Sequence, residues 1–183
     1  MKKMYLPIGK LCTAALAANE ANVRVKNYPF DWIGHSYKTA SYIMDNGFDN
    51  LFTNYEIVDN KNWPHPRIWD VDYQTFFIHE TEDDVAKIKK KYIKRYNNMI
   101  NDIKNSNHIV LIQSSQCERS LHGHYKETQP FYKSELPKGK DVDDLSLVDI
   151  VNSVLKINPA INIQITKRHK VWEGIIEELK LIA

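Results

Sequence analysis

The chain has 183 residues, of which 43% are hydrophobic and 26% are charged, and its formal net charge is +2. This composition is typical of a globular protein and excludes a disordered chain or a fibrous repeat. The nearly balanced charge argues against a dedicated nucleic-acid-binding protein, although the run from Lys87 to Arg95 is locally basic. The length suits a single domain over residues 1–183 with a substantial core.

The two cysteines, Cys12 and Cys117, do not form a closely spaced pair. That spacing argues against a disulfide framework or a four-thiolate zinc site and favours a reducing compartment. The apolar stretch near the start is interrupted by Pro7, Gly9 and Lys10, so it is too short for a signal peptide. No run approaches the roughly 20 apolar residues of a membrane span. We therefore expect a cytoplasmic protein with no membrane partner.

The first part of the chain predicts a strand over 4–8, a helix over 12–22, an ordered loop over 28–33 and a helix over 36–46. Gly9 provides the turn after the strand, and the alanines of the first helix predict close packing on a sheet. Pro29 and its aromatic neighbours favour an ordered loop over a helix. Gly47 has the place of a C-cap for the second helix.

The middle of the chain is irregular at first, because aromatic residues alternate with Asn, Asp and Pro over 48–72. This region is either a substrate loop or an irregular cap, with a possible short strand over 67–71. Further on, the patterns predict a strand over 75–79, a long helix over 82–104 and a buried parallel strand over 109–112. The long helix has the clearest apolar stripe in the chain.

The last part of the chain begins with a polar stretch over 113–140, which is too long for a plain connector. The patterns then predict a helix from Asp143 to Pro159, a strand over 161–165 and a helix over 170–181. Strands that alternate with helices predict an α/β fold with a mostly parallel sheet. We expect a three-layer sandwich with helices on both faces of that sheet.

Polar residues lie at the ends of three predicted strands: Cys12 follows the strand at 4–8, His79 closes the strand at 75–79, and Gln113 follows the strand at 109–112. Ligands of open α/β sheets lie beyond the carboxyl ends of the strands, so we expect all three residues at one edge. A cysteine in the first turn of a helix is favoured as a thiolate. Cys12 is therefore the candidate nucleophile, His79 the candidate base and Gln113 the candidate orienting group.

Other residues have both a structural and a functional interpretation. Asp31 can orient a histidine or cap its own loop, and Trp32 can contact substrate or anchor that loop. His35 is a second candidate base or a substrate contact, and Trp63 and Trp69 are candidate substrate or partner contacts. A zinc site built from His65, Cys117, His122 and His124 lacks paired ligand spacing, so we expect no metal and no cofactor.

The opening of the chain also resembles a known family. Leu6-Pro7-Ile8-Gly9, then Cys12, Arg24 and Pro29-Phe30-Asp31-Trp32, is similar to the start of uncharacterised, mostly bacterial proteins described as putative papain-like cysteine peptidases. The resemblance is good over about the first forty residues and weaker after them. It implies a cysteine nucleophile at Cys12, and the order of cysteine, histidine and polar residue also matches papain-like enzymes.

Three hypotheses follow from the sequence. The first is a thiol-dependent hydrolase or acyltransferase that attacks a peptide, amide or ester bond. The second is a non-catalytic binding or accessory module that grips a partner with the stretches 48–69 and 113–140. The third is a hydrolase or transferase of another kind, with sugar, lipid or nucleotide substrates, although no serine follows the first strand. The oligomeric state is not indicated by any pattern.

Overall fold

The computed structural model describes residues 2–9, 12–35, 37–59, 66–73, 75–77, 79–80, 84–114, 140–169 and 172–183. The helices are α1 Thr13–Glu20, α2 Tyr37–Asn46, α3 Val85–Lys104, α4 Lys140–Ile157 and α5 Trp172–Ile182, with a 3-10 helix at Pro29–Trp32. The strands are β1 Lys3–Pro7, β2 Tyr55–Val58, β3 Arg67–Asp70, β4 Thr75–Phe77, β5 His108–Ile112 and β6 Asn162–Ile165. The predicted order of strands and helices is confirmed for these ranges, apart from β2 and the 3-10 helix, which were not predicted.

A parallel sheet with the strand order β1-β5-β6 lies at the centre of the fold. Its register pairs Lys3 with His108 and Pro7 with Ile112, so β1 and β5 end at the same edge. β5 then pairs with β6 from His108 opposite Asn162 to Leu111 opposite Ile165. The carboxyl ends of all three strands therefore meet at one edge, as the alternating pattern predicts.

Helices cover both faces of this sheet. Side chains of a strand alternate between faces, and here Leu6 and Leu111 lie in one core cluster while Val110 and Ile112 lie in another. The first cluster includes buried residues of α2, α3 and α4, and the second includes the alanines of α1 with Ile175, Ile176 and Leu179 of α5. The predicted three-layer α/β sandwich is thereby confirmed.

A second sheet, antiparallel and of order β2-β3-β4, contributes Ile68 and Phe77 to the first core cluster. Gly34 extends it, because its N–H and C=O both bond to the backbone of Phe76 at 2.8 Å. The expectation that the strand ending near His79 belongs to the parallel sheet is wrong. Instead, β4 pairs with β3 and with the segment that follows the 3-10 helix. The stretch 48–72, expected to be irregular apart from one short strand, also contains β2.

Local signals for helix ends agree with the structure. Gly47 has φ 73° and its N–H bonds to the carbonyl of Ile43 at 2.8 Å, which is the left-handed helix end that glycine favours. Asp84 caps α3 by accepting from the N–H of Lys87 at 2.8 Å. Within the described ranges, no helix has both the length and the apolar character needed to cross a membrane.

Candidate active site

Cys12 lies just beyond the carboxyl end of β1 and is the N-cap of α1. Its carbonyl accepts the first intrahelical bond, from the N–H of Leu16 at 2.9 Å, and the residue is 8% exposed. The first-turn N–H groups and the helix dipole favour negative charge at this position, so they favour the thiolate form of a cysteine. The predicted location of Cys12 at a strand-to-helix turn is confirmed.

The turn that leads to Cys12 is tightly packed on the end of β5. A Cβ atom at Gly9 would overlap the hydroxyl of Ser114 and would lie 3.0 Å from the Cβ of Ala14. A side chain at residue 9 would therefore require the Ser114 side chain or the turn itself to move. Gly9 therefore holds the β1 to α1 connection against the first residues after β5.

Gln113 lies at the same edge, directly after β5, and is 8% exposed. Its backbone N–H donates to the hydroxyl of Thr166 at 3.0 Å, and its amide Nε2 donates to the Thr166 carbonyl at 2.8 Å. These bonds tie the end of β5 to the end of β6. The structure thus brings Gln113 and Cys12 to one edge of the sheet, while the orienting role of Gln113 stays a prediction.

His79 follows β4 of the antiparallel sheet, whereas Cys12 and Gln113 follow strands of the parallel sheet. It is exposed, and its imidazole meets the indole of Trp32 at 90° with 5.5 Å between ring centroids. The expectation that His79, Cys12 and Gln113 all end strands of one sheet is therefore wrong for His79. Its assignment as the base is a separate matter and stays a prediction.

Asp31 is a fully buried carboxylate at the third position of the 3-10 helix. Its Oδ2 accepts from the N–H of Tyr28 at 2.6 Å and from Nη2 of Arg24 at 2.6 Å. Burial raises the pKa of Asp31 to about 6, although Arg24 and the Tyr28 N–H act in the opposite direction. Oδ1 has no hydrogen-bond partner among the described residues. Asp31 therefore caps its own loop, which is the structural role considered in the sequence.

Arg24 organises the surroundings of Asp31, a role that the sequence did not indicate, although Arg24 is among the residues of the family resemblance. Its guanidinium carbon lies 5.2 Å from the centroid of the Trp32 ring. The same group donates to Asn19 Oδ1 at 3.3 Å, to the Lys26 carbonyl at 3.2 Å and to Asn27 Oδ1. One side chain thus connects the end of α1, the following loop and the 3-10 helix.

The remaining candidates are His35, Trp69 and Trp63. His35 is 2% exposed, with Nδ1 3.3 Å from the Ile33 carbonyl and its ring 5.2 Å from that of Phe30. Trp69 is half-buried on β3 and its ring lies 5.8 Å from that of Phe76. Both therefore contribute to packing. Trp63 lies outside the described residues.

Sequence reasoning did not single out Arg168, which lies beyond the carboxyl end of β6. Its guanidinium carbon is 5.8 Å from the centroid of the Tyr37 ring, at the start of α2. Arg168 thus follows a strand whose carboxyl end lies at the same edge as those of β1 and β5. Among the described residues no group of three potential metal ligands is present, and His65, Cys117, His122 and His124 lie outside them.

Comparison with known proteins identifies the family. A family model described as "Putative papain-like cysteine peptidase (DUF1796)" matches residues 3–127. The chain belongs to this family. The matched range begins at β1 and includes Cys12, Asp31, His79 and Gln113, whereas α4, β6 and α5 lie beyond it. No curated protein and no solved structure matches the chain.

Proposed function

We propose that this member of the family is a thiol-dependent hydrolase or acyltransferase that attacks an amide or ester bond with Cys12. The observation that carries the proposal is the position of Cys12 at the N-terminus of α1, beyond the carboxyl end of a parallel strand. This is the place where α/β proteins bind ligands and where a helix dipole favours a thiolate. Membership of a family described as cysteine peptidases supports the same reaction class.

In the proposed reaction, an imidazole takes the proton of the Cys12 thiol, and the thiolate attacks the carbonyl carbon of the substrate. The leaving amine or alcohol receives that proton, and a thioester links the acyl group to the sulfur. Water or an acceptor nucleophile then releases the acyl group and regenerates the thiol. Backbone N–H groups in the first turn of α1 are the proposed donors to the oxyanion.

His79 is the proposed base, with His35 as the alternative. His79 is exposed, so a substrate can approach its ring, whereas His35 is 2% exposed and packs on Phe30. Gln113 and Asp31 are proposed to orient the site, and Trp32 and Trp69 to contact the substrate. The bonds from Gln113 to Thr166 support a fixed position for that amide at the edge of the sheet.

The test is the rate of iodoacetamide labelling of Cys12 as a function of pH, in a Cys117→Ser background that leaves one thiol. We expect an apparent thiol pKa below the usual value of about 8.5 and labelling at pH 7 that is faster than in the urea-unfolded chain. His79→Gln should slow labelling at pH 7 while His35→Gln should not. Labelling no faster than in the unfolded chain would contradict the proposal.

A non-catalytic binding module is the second candidate, and the 8% exposure of Cys12 favours it because buried cysteines commonly act as small apolar side chains. In that case Cys12→Ala should leave partner binding intact and Cys12→Ser should lower the free energy of unfolding. A catalytic Cys12 predicts instead that both substitutions abolish turnover of an amide or ester substrate.

A further inference from the structure

We propose that Arg24 is a positioning residue that holds the Trp32 indole against His79 and so sets the orientation and proton affinity of that imidazole. The inference rests on the proposed function, since it gives His79 a role in the reaction. The chain of contacts runs from a buried ion pair, through an aromatic ring, to the imidazole.

The first step is the ion pair of Arg24 with Asp31. The Arg24 side chain is 5% exposed and that of Asp31 is 0% exposed, and the two groups are 2.6 Å apart. Two charges that lie out of water are tolerated only as a closely bonded pair, so neither can move alone. The position of the guanidinium is therefore determined by a carboxylate that is itself fixed by the N–H of Tyr28.

The second step connects the guanidinium to Trp32. Its carbon lies 5.2 Å from the centroid of the indole, a distance at which a cation attracts an aromatic ring. The indole Nε1 donates to Asn27 Oδ1 at 3.3 Å, and Arg24 donates to the same oxygen. The ring and the guanidinium thus share one acceptor, which limits rotation of the indole about its side-chain bonds.

The third step is the perpendicular contact between Trp32 and His79, with centroids 5.5 Å apart. Edge-to-face contacts are directional because an aromatic ring has a negative face and a positive edge. A shift of the indole therefore changes both the rotamer of His79 and the stability of its protonated form. The carboxylate next in the chain, Glu80, forms an ion pair with Lys91 at 2.5 Å. The positive charge of Lys91 therefore offsets the negative charge of Glu80 near His79.

An effect of the Arg24 charge on His79 and an effect of Arg24 on the position of Trp32 predict different results. Removal of the Arg24 cation would favour the protonated imidazole by simple electrostatics, whatever the position of Trp32. Arg24→Lys keeps the positive charge but loses the planar fork that bonds several acceptors at once. Arg24→Gln loses both. A positioning role therefore predicts that Lys does not replace Arg.

The experiment is an NMR titration of the His79 imidazole in the wild type, Arg24→Lys, Arg24→Gln and Trp32→Phe. We expect both Arg24 variants and Trp32→Phe to shift the ring resonances of His79 and to change its titration midpoint. Asn19→Ala is the matched control, because it removes one acceptor of Arg24 and leaves the Asp31 pair in place. It should leave His79 unchanged. Trp32→Phe retains the buried ion pair, so it tests the ring contact even where an Arg24 variant fails to fold.

The reactive thiol provides the second readout. Arg24→Lys should reduce the rate of Cys12 alkylation at pH 7 about tenfold, less than the loss of the imidazole in His79→Gln. A His79 titration in Arg24→Lys and Trp32→Phe that coincides with the wild type would overturn the inference. If instead His79 responds but Cys12 alkylation is insensitive to His79→Gln, then His79 is not the base of the proposed reaction and the contacts from Arg24 to His79 stand.

Discussion

Two buried carboxylates, Asp31 and Asp102, both bond to Tyr28, yet their pKa values are shifted in opposite directions. Tyr28 bonds both, since its backbone N–H donates to Asp31 at 2.6 Å and its hydroxyl donates to Asp102 at 3.0 Å. Both residues are nearly inaccessible, at 0% and 3% exposure. Nevertheless the pKa of Asp31 is raised to about 6, whereas that of Asp102 is lowered.

The difference lies in the donors around each carboxylate. Burial penalises ionisation of Asp102 too, but hydrogen bonds from Lys26, Tyr28 and Lys2 outweigh it. Asp31 has one cation in contact, Arg24, and one of its oxygens has no partner in the described part of the chain. A short salt bridge therefore does not by itself lower the pKa of a buried carboxyl. The hydrogen bonds and charges that favour the carboxylate must together outweigh the cost of removing it from water.

Access to water separates the two sites further. The lysines of Asp102 are half exposed, at 55% for Lys2 and 45% for Lys26, whereas the Arg24 side chain is 5% exposed. A cavity of about 180 Å³ also opens beside Asp102, with Lys2, Lys26 and Tyr28 in its lining. The Asp102 cluster can thus rearrange toward solvent, but the Asp31 cluster cannot.

The largest expected effect is the loss of either carboxylate. Asp31→Ala leaves a guanidinium buried without its partner, so it should lower the free energy of unfolding by about 3–5 kcal/mol. Asp102→Ala should cost less, roughly 1–2 kcal/mol, because Lys2 and Lys26 can turn to water. Urea unfolding of both variants measures the difference. Equal losses would show that water access does not separate the two sites.

The pH dependence of stability should have opposite signs at the two carboxylates. Asp31 binds its proton more tightly in the native state, so its ionisation lowers stability as pH rises from about 4 to about 6, by on the order of 2–3 kcal/mol. Asp102 has a lowered native pKa, so its contribution is present above about pH 4 and is lost as pH falls further.

Asp31→Asn and Asp102→Asn measure these two slopes against the wild type. The first variant should lack the decline between pH 4 and 6, and the second should lose part of the acid destabilisation below pH 4. If Asp31→Asn and the wild type keep a constant difference over pH 4 to 6, then the raised pKa of Asp31 is contradicted.

Tyr28→Phe should affect Asp102 and not Asp31, since it removes only the hydroxyl that donates to Asp102. Burial, followed by the charge of Asp102, raises the pKa of the Tyr28 phenol, so the hydroxyl stays a donor. Its loss should lower the free energy of unfolding by roughly 1.5 kcal/mol and raise the pKa of Asp102. The pKa of Asp31, followed by carboxyl NMR shifts, should stay near 6 because the backbone N–H is retained.

Salt should have the smallest effect and should act on one site alone. Between 0.1 and 1 M NaCl the screening length falls from about 10 to about 3 Å, which weakens exposed ion pairs. The stability difference between the wild type and Lys26→Met should therefore shrink by less than about 0.5 kcal/mol. The difference between the wild type and Asp31→Asn serves as the control and should not change.

Much of the fold could be predicted because its elements carry their own periodic patterns. The apolar stripe of α3 predicted the buried residues Ile88, Tyr92, Met99 and Ile103, and the unbroken run at β5 predicted a strand covered on both faces. The antiparallel sheet was missed in part because β2 has two exposed and two half-buried residues and therefore no clear alternation. Short edge strands are defined by their pairing partner more than by their own composition.

The residues of the candidate site were likewise predictable only where local signals define them. The sequence placed Cys12 at a strand-to-helix turn, since a glycine after an apolar run and a helical pattern behind it are local signals. It could not place His79, because the neighbour of β4 is Gly34, more than forty residues earlier. The contacts of Arg24 with Asp31 and Trp32 could not be predicted either. Arg24 and Asp31 are seven residues apart in the chain, and that spacing does not indicate a buried ion pair.

By itself, the sequence determined the three-layer α/β architecture, the helix end at Gly47 and the turn that carries Cys12. Hydrophobic periodicity, capping and turn chemistry act over a few residues, so they can be read from the chain. Only the tertiary structure decided which sheet contains β4, the strand before His79, and why the pKa values of Asp31 and Asp102 are shifted in opposite directions. Those outcomes depend on donors and solvent brought together from distant positions, such as Lys26 and Asp102, and no local pattern records them.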